Sequence, residues 1–249
     1  MRSAWITCAL SAFLTTAAGA QTPTLPAEIV AGRAALSSKD YAKAEAIFAA
    51  YAKAHSDNAL AAMGEGDAAL GLHQLEEAEI DYRRAVYIQP ELWVAHKDLV
   101  LIEARLGRWS EFERERALLR GARERGAPNI TKRESDQIDS FDVADKQWLV
   151  REYFEPVGRS EARYNFEHFN SAGHAEEYIS LEPASAAASA LNREAQVKIG
   201  EEAAPVKAKT WSLNWYTGKG HGTIKRYPAG EPKYETVRAD VMRWLREKP

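Results

Sequence analysis

Cysteine is almost missing from this chain: Cys8 is the only one, and it falls within the first twenty residues. Beyond that segment no disulfide framework, thiol nucleophile or cysteine zinc site can be built. Charge of one sign is not in excess either. The formal net charge is -3 and the isoelectric point about 6.1, with acids and bases interspersed. Nucleic acid, which usually leaves a basic footprint, is therefore not an expected partner. Past the N-terminus no apolar run approaches the roughly 20 residues of a membrane helix. With 45% hydrophobic and 28% charged residues the composition is that of a soluble globular chain, not a disordered one.

Local catalytic signatures are also lacking. There is no G-x-S-x-G elbow and no S-x-x-K pattern. The six histidines, His55, His73, His96, His168, His174 and His221, include no pair four apart on a helix, as a zinc site would need. His174-Ala175-Glu176-Glu177 comes nearest and reads as a solvated turn. Gly218-Lys219-Gly220-His221-Gly222 lacks the P-loop spacing, so a hairpin tip is the simpler reading. Glu152 and Glu155 could belong to a carboxylate pair assembled from distant segments, but outward positions on a half-exposed strand are the favoured reading. No catalytic, cofactor or metal residue is assigned.

What is present begins with a leader. Arg2 precedes an apolar stretch from Ala4 to about Ala17, and Ala18-Gly19-Ala20 gives small residues at a cleavage site. This predicts a signal peptide over 1–20, cleaved after Ala20, and a periplasmic or secreted mature chain.

Residues 25–58, 59–92 and 93–126 then align without a gap as three units of 34. Gly32, Tyr41, Ala44, Phe48 and Tyr51 of the first fall at the same positions as Gly66, Leu75, Ala78, Tyr82 and Ala85 of the second, which ends with Pro90. Small residues at positions 8 and 20 let paired helices approach, and large ones at 17 and 24 fill the space between neighbours. This pattern resembles the tetratricopeptide repeat (TPR) family over 25–126. The resemblance implies three helix–turn–helix units stacked as a solenoid. The third unit departs from it, with Val100 and Phe112 at the small positions and Trp109 at position 17. Terminal repeats are often atypical, and these bulky residues predict packing against the second half of the chain.

After Gly126 and Pro128 the helical period stops, and Thr131–Asp136 reads as a linker. The domain from 136 to 249 is rich in aromatic residues. Strands are expected over Gln147–Phe154, Ala162–Phe169, Glu176–Leu181, Thr210–Tyr216 and Gly222–Tyr227, joined by short turns and hence antiparallel. Helices are expected over Pro183–Ile199 and from near Pro232 to Glu247, the latter covering the sheet. The fold class is α+β: an all-α repeat half, then a mostly antiparallel sheet with a C-terminal helix.

The TPR resemblance also implies a binding face on the first helix of each unit. Carried onto this chain, it comprises Ile29, Arg33 and Leu36; Leu60, Met63, Asp67 and Leu70; and Lys97, Leu101 and Arg105. So apolar a face should be covered by a partner protein or peptide, or by residues 183–205 of the chain itself. The expected function is a non-catalytic protein-interaction module or adaptor of the cell envelope, with no cofactor. The alternative makes the sheet domain a small-ligand receptor or hydrolase, with the repeats as docking arm.

Overall fold

Six helices form three hairpins at the start of the computed structural model, which describes residues 25–128, 130, 135–153, 163–183, 210–228 and 230–248. The helices are α1 (Ala27–Ser37), α2 (Tyr41–Ala54), α3 (Ala59–Gly71), α4 (Leu75–Ile88), α5 (Trp93–Leu106) and α6 (Trp109–Glu124). Asp40 and Asn58 cap α2 and α3 by accepting from the Lys43 and Ala61 amides. Each hairpin turns through a left-handed residue at the same repeat position, Lys39, His73 and Gly107, with φ of 60°, 63° and 69°. The leader predicted over 1–20 lies outside the described residues.

The small repeat positions are occupied as packing requires. Phe48 of α2 is buried between α1 and α3. A Cβ on either Gly32 or Gly64 would stand 2.5 Å from its ring. A Cβ on Gly66 would lie 3.0 Å from Tyr82, and one on Gly71 would collide with Tyr41. The first half is thus a TPR-like helical repeat in which ring and glycine fit together.

The second half is a six-stranded antiparallel sheet in the order β1-β2-β3-β4-β5-β6. Its strands are β1 (Ser135–Val143), β2 (Lys146–Tyr153), β3 (Tyr164–Phe169), β4 (Ala175–Pro183), β5 (Trp211–Thr217) and β6 (Gly220–Tyr227), followed by α7 (Tyr234–Glu247). Five strands and α7 fall where the sequence predicts them. β1 does not: Ser135 and Asp136, read as linker, are its first two residues. Pro183, read as a helix start, ends β4, and the remainder of that predicted helix lies outside the described residues.

Alternation along the strands sends Trp148, Val150, Tyr164, Phe166, Ile179, Leu181 and Leu213 to one face. That face meets Tyr234, Val237, Val241 and Leu245 of α7, and the same core continues into Val100, Ala104, Phe112 and Leu119 of the third hairpin. Phe112 lies 5.0 Å from Tyr234 and Trp109 6.1 Å from it, centroid to centroid. The bulky residues of the third unit therefore pack on the sheet half, as the sequence predicts. Two smaller cores lie within the first two hairpins and between the second and third.

Gly32→Val should cost about 1–3 kcal/mol, the range for overpacking a filled core, because Phe48 has no free space to enter. Thermal unfolding of the variant checks this, and an unchanged midpoint contradicts the packing described.

Candidate functional site

The first helices of the hairpins, α1, α3 and α5, carry the residues implied as a binding face. One of them is not on it. Ile29 has 0% exposure and packs with Ala44, Phe48 and Ala61. Its large side chain serves the first core, where helix-position reasoning alone cannot distinguish rim from interior.

Arg33 is exposed, while Leu36, Leu60, Met63, Leu70 and Leu101 are half-buried. Met63 and Leu70 lean on the second core and Leu36 on the first. Asp67 stands among these apolar groups and accepts a 2.5 Å hydrogen bond from the Tyr82 hydroxyl. Burial pushes its carboxyl up against the opposing pull of Tyr82 and of Arg33. Asp98, on α5, is pushed up to about 7 by burial first and by the charge of Asp67 second. The sequence reading passed over Asp98, whose repeat position lies outside the implied set. The opposing pulls of Arg33 on Asp67 and of Lys97 on Asp98 do not offset the burial of the two acids.

Two cations of α5 direct their hydrogen bonds to β1. Lys97 donates to Asp136 of β1 at 3.1 Å, and Arg105 approaches the Ser140 hydroxyl of the same strand at 3.5 Å. β1, which among the described strands pairs with β2 alone, thus lies along the third hairpin's part of the face. The chain covers its own groove there, but with β1. Residues 184–205, the segment expected to do so, lie outside the described residues.

Glu152 differs from expectation as well. It points inward, is 2% exposed, and meets Arg116 at 2.9 Å, Arg120 at 2.8 Å and Arg163 at 2.7 Å. Burial alone would raise its carboxyl, but Arg116, then Arg163 and Arg120, hold it below the ordinary range. A carboxylate so neutralised is neither base nor nucleophile; it joins α6 to β2. Glu155 lies outside the described residues.

The remaining motifs fall on turns. Gly218 and Lys219 form the β5–β6 hairpin tip. Asn170 organises the β3–β4 turn by accepting from the Ala172 and His174 amides. Glu177 is flanked by Lys146 and Lys248 at 3.3 Å each. Among the described residues, no three histidine or acidic side chains are placed to hold a metal ion. An open cleft of about 580 Å³ lies where α6 meets the start of α7, lined by Trp109, Ser110, Glu113, Arg120, Tyr164, Glu231 and Lys233. Its Arg120, Glu113 and Glu231 are already ion-paired. On the sheet face away from the core, Tyr178 stacks on Tyr216 at 4.6 Å and His221 follows at 6.1 Å. This is the aromatic surface left over once the core is filled. Among the described residues no helix is long and apolar enough to cross a membrane.

No family model and no curated protein matches this chain. Solved structures similar to part of this chain include a double mutant of MamA RS-1, at 22% identity and a TM-score of 0.39 over 41% of this chain and 57% of that one. MamA from Desulfovibrio magneticus RS-1, residues 41 to the end, gives 23% and 0.36 over the same shares. The type III secretion translocator chaperone SycD of Yersinia enterocolitica gives 17% and 0.37 over 41% of this chain and 68% of that one. This chain therefore spans little more than half the length of the MamA chains it resembles.

Glu152→Ala should destabilise the protein by about 3–5 kcal/mol, since it removes the buried carboxylate from Arg116 and leaves that cation only the half-buried Glu113 as an ion-pair partner. The folded-state pKa of Glu152 is depressed. Its contribution is therefore present above the ordinary carboxylate range and lost as the pH falls through the depressed value. The gap between wild type and variant, measured by denaturant unfolding, should be full at neutral pH and narrow only in acid. A gap below about 1 kcal/mol at neutral pH, the size of a surface pair, contradicts the buried joint.

Proposed function

We propose that this chain is an exported TPR-type protein-interaction module that holds an amphipathic segment of a partner protein on the face of α1, α3 and α5. The observation that carries the reading is the chemistry of the uncovered part of that face. Half-buried Leu36, Met63, Leu70 and Leu101 offer apolar contact. Asp67 and Asp98 lie beside them, and among the described residues no cation donates to either. A segment with apolar residues and one lysine or arginine would cover both features, and its positive charge would relieve the two acids. Stacked hairpins present a preformed surface, which suits binding and supplies no reacting groups. The filled aromatic interior of the sheet supports a scaffold in preference to a receptor or hydrolase.

Met63→Asp combined with Leu101→Asp adds charge to two half-buried positions. Cross-linked partner recovery from envelope extracts should fall at least tenfold, a loss of about 1.4 kcal/mol, with circular dichroism unchanged. Undiminished recovery by a folded double variant removes the face from consideration.

The cell-envelope assignment has a separate basis, the pattern of Arg2, the apolar stretch and Ala18-Gly19-Ala20. Mass spectrometry of the protein from a secretion-competent host should find Gln21 at the mature N-terminus. An intact N-terminus on cytoplasmic protein contradicts export.

A further inference from the structure

Beside the apolar core between the second and third hairpins lies an ionic cluster. Three glutamates are buried there: Glu79 at 2%, Glu103 at 0% and Glu115 at 4% exposure. From α4, Arg83 donates to Glu79 at 2.9 Å and to Glu103 at 2.8 Å. Arg108, in the α5–α6 turn, donates to the other oxygen of Glu79. From α6, Arg114 comes no closer to Glu115 than 3.9 Å. His96 of α5 completes the group, with Nδ1 2.7 Å from Glu115 Oε2 and Nε2 3.1 Å from the Pro90 carbonyl.

Two protons are implied by this geometry. A carbonyl oxygen only accepts, so His96 donates to Pro90 through Nε2. The 2.7 Å contact on its other side then requires one proton between Nδ1 and the Glu115 carboxyl. Glu103 presents the second case. One oxygen takes the Arg83 guanidinium, but among the described residues the fully buried Oε2 has no donor. An ionised carboxylate in that position leaves half its charge unsolvated, which protonation relieves.

We propose that Glu103, Glu115 and His96 form a proton-operated latch that seats α5 and α6 against α4. With the latch protonated, Glu103 carries no charge on its buried, undonated Oε2 and the third hairpin is held in register. Loss of the Glu103 proton places a new negative charge beside Glu115 and Glu79, and α5 loosens. The same helix carries Lys97, Leu101 and Arg105, so loosening alters the groove wall and the grip on β1. That consequence for binding rests on the protein-interaction reading; the latch itself does not.

The direction in pH follows. Burial, then Glu115, push the Glu103 carboxyl up from 4.5 to about 8. A raised folded-state pKa contributes stability that is full below the unfolded value and is lost as the pH rises through the folded one. The latch is tight in mild acid and loosest above pH 8.

The test uses the full chain and no partner. Carbon-13 titration of the Glu103 carboxyl should give a midpoint near 8, and a midpoint in the ordinary carboxylate range overturns the proposal. Native-state hydrogen exchange, corrected for intrinsic rates, should show the α5 opening constant rising by up to about tenfold per pH unit between 6 and 8. Glu103→Gln, which is neutral at every pH, should remove most of that rise. An equal rise in a folded Glu103→Gln overturns the latch. If that variant does not fold, the titration of the wild-type carboxyl decides. Since no partner is present, failure here leaves the protein-interaction reading to its own test.

Discussion

The Arg116 guanidinium lies deep between α6 and the sheet, its carbon 5.0 Å from the Phe112 ring centroid, 5.2 Å from Tyr164 and 5.8 Å from Tyr234. Such a cation is costly to remove from water unless it is paired and fully hydrogen-bonded. Here Glu152 takes two of its nitrogens and Tyr164 accepts a further 2.7 Å bond. The aromatic rings close the site to solvent, which strengthens the pairing they surround. Phe112 stands where the repeat pattern calls for a small residue, and Glu152 stands where an alternating strand calls for an apolar one. Each local departure is answered by the other. Together they turn a terminal repeat into the joint that holds the sheet.

That joint determines how much of the repeat face is free. Once α6 is fixed to β2, its hairpin partner α5 is fixed beside β1, and Lys97 and Arg105 turn toward that strand. Arg123 adds a 2.7 Å bond to Asp136 from α6. A second buried tie runs from β1 to α7, where Asp139 accepts from Tyr234 at 2.7 Å and from Arg238 at 2.6 Å. The part of the third hairpin's face that carries Lys97 and Arg105 is thereby met by β1. The uncovered part runs over the first two hairpins as far as Leu101 and the acidic pair across α3 and α5. A partner segment would end where β1 begins.

The repeat half was legible because its signal is redundant. Gly32 with Phe48, and Gly66 with Tyr82, express one packing rule twice at a fixed interval. Five strands and α7 were legible from aromatic alternation and turn residues. β1 was not, for two reasons. Its hairpin to β2 turns through Ala144 and Asp145, both at positive φ, without the Asn-Gly or Asp-Gly signal. A bulge between Gln137 and Asp139 then breaks its alternation, so Ile138 and Asp139 are both buried. Ile29 was misplaced because a family position gives a direction from a helix axis, whereas the fate of a side chain depends on what stands opposite. Asp98 and the ionic seam escaped because burial of a charge is set by tertiary neighbours that no local spacing reveals.

If the third hairpin belongs energetically with the sheet, its amides should open together with those of β1 and β2, ahead of any coupling to the first hairpin. Native-state hydrogen exchange of the full chain in increasing denaturant measures this directly. The structure predicts that α6, β1 and β2 merge into one opening unit with a shared denaturant dependence, while α1 and α2 open at lower free energy. Exchange of α6 in step with α1 and α2, independent of the sheet, would contradict the joint from which the rest follows.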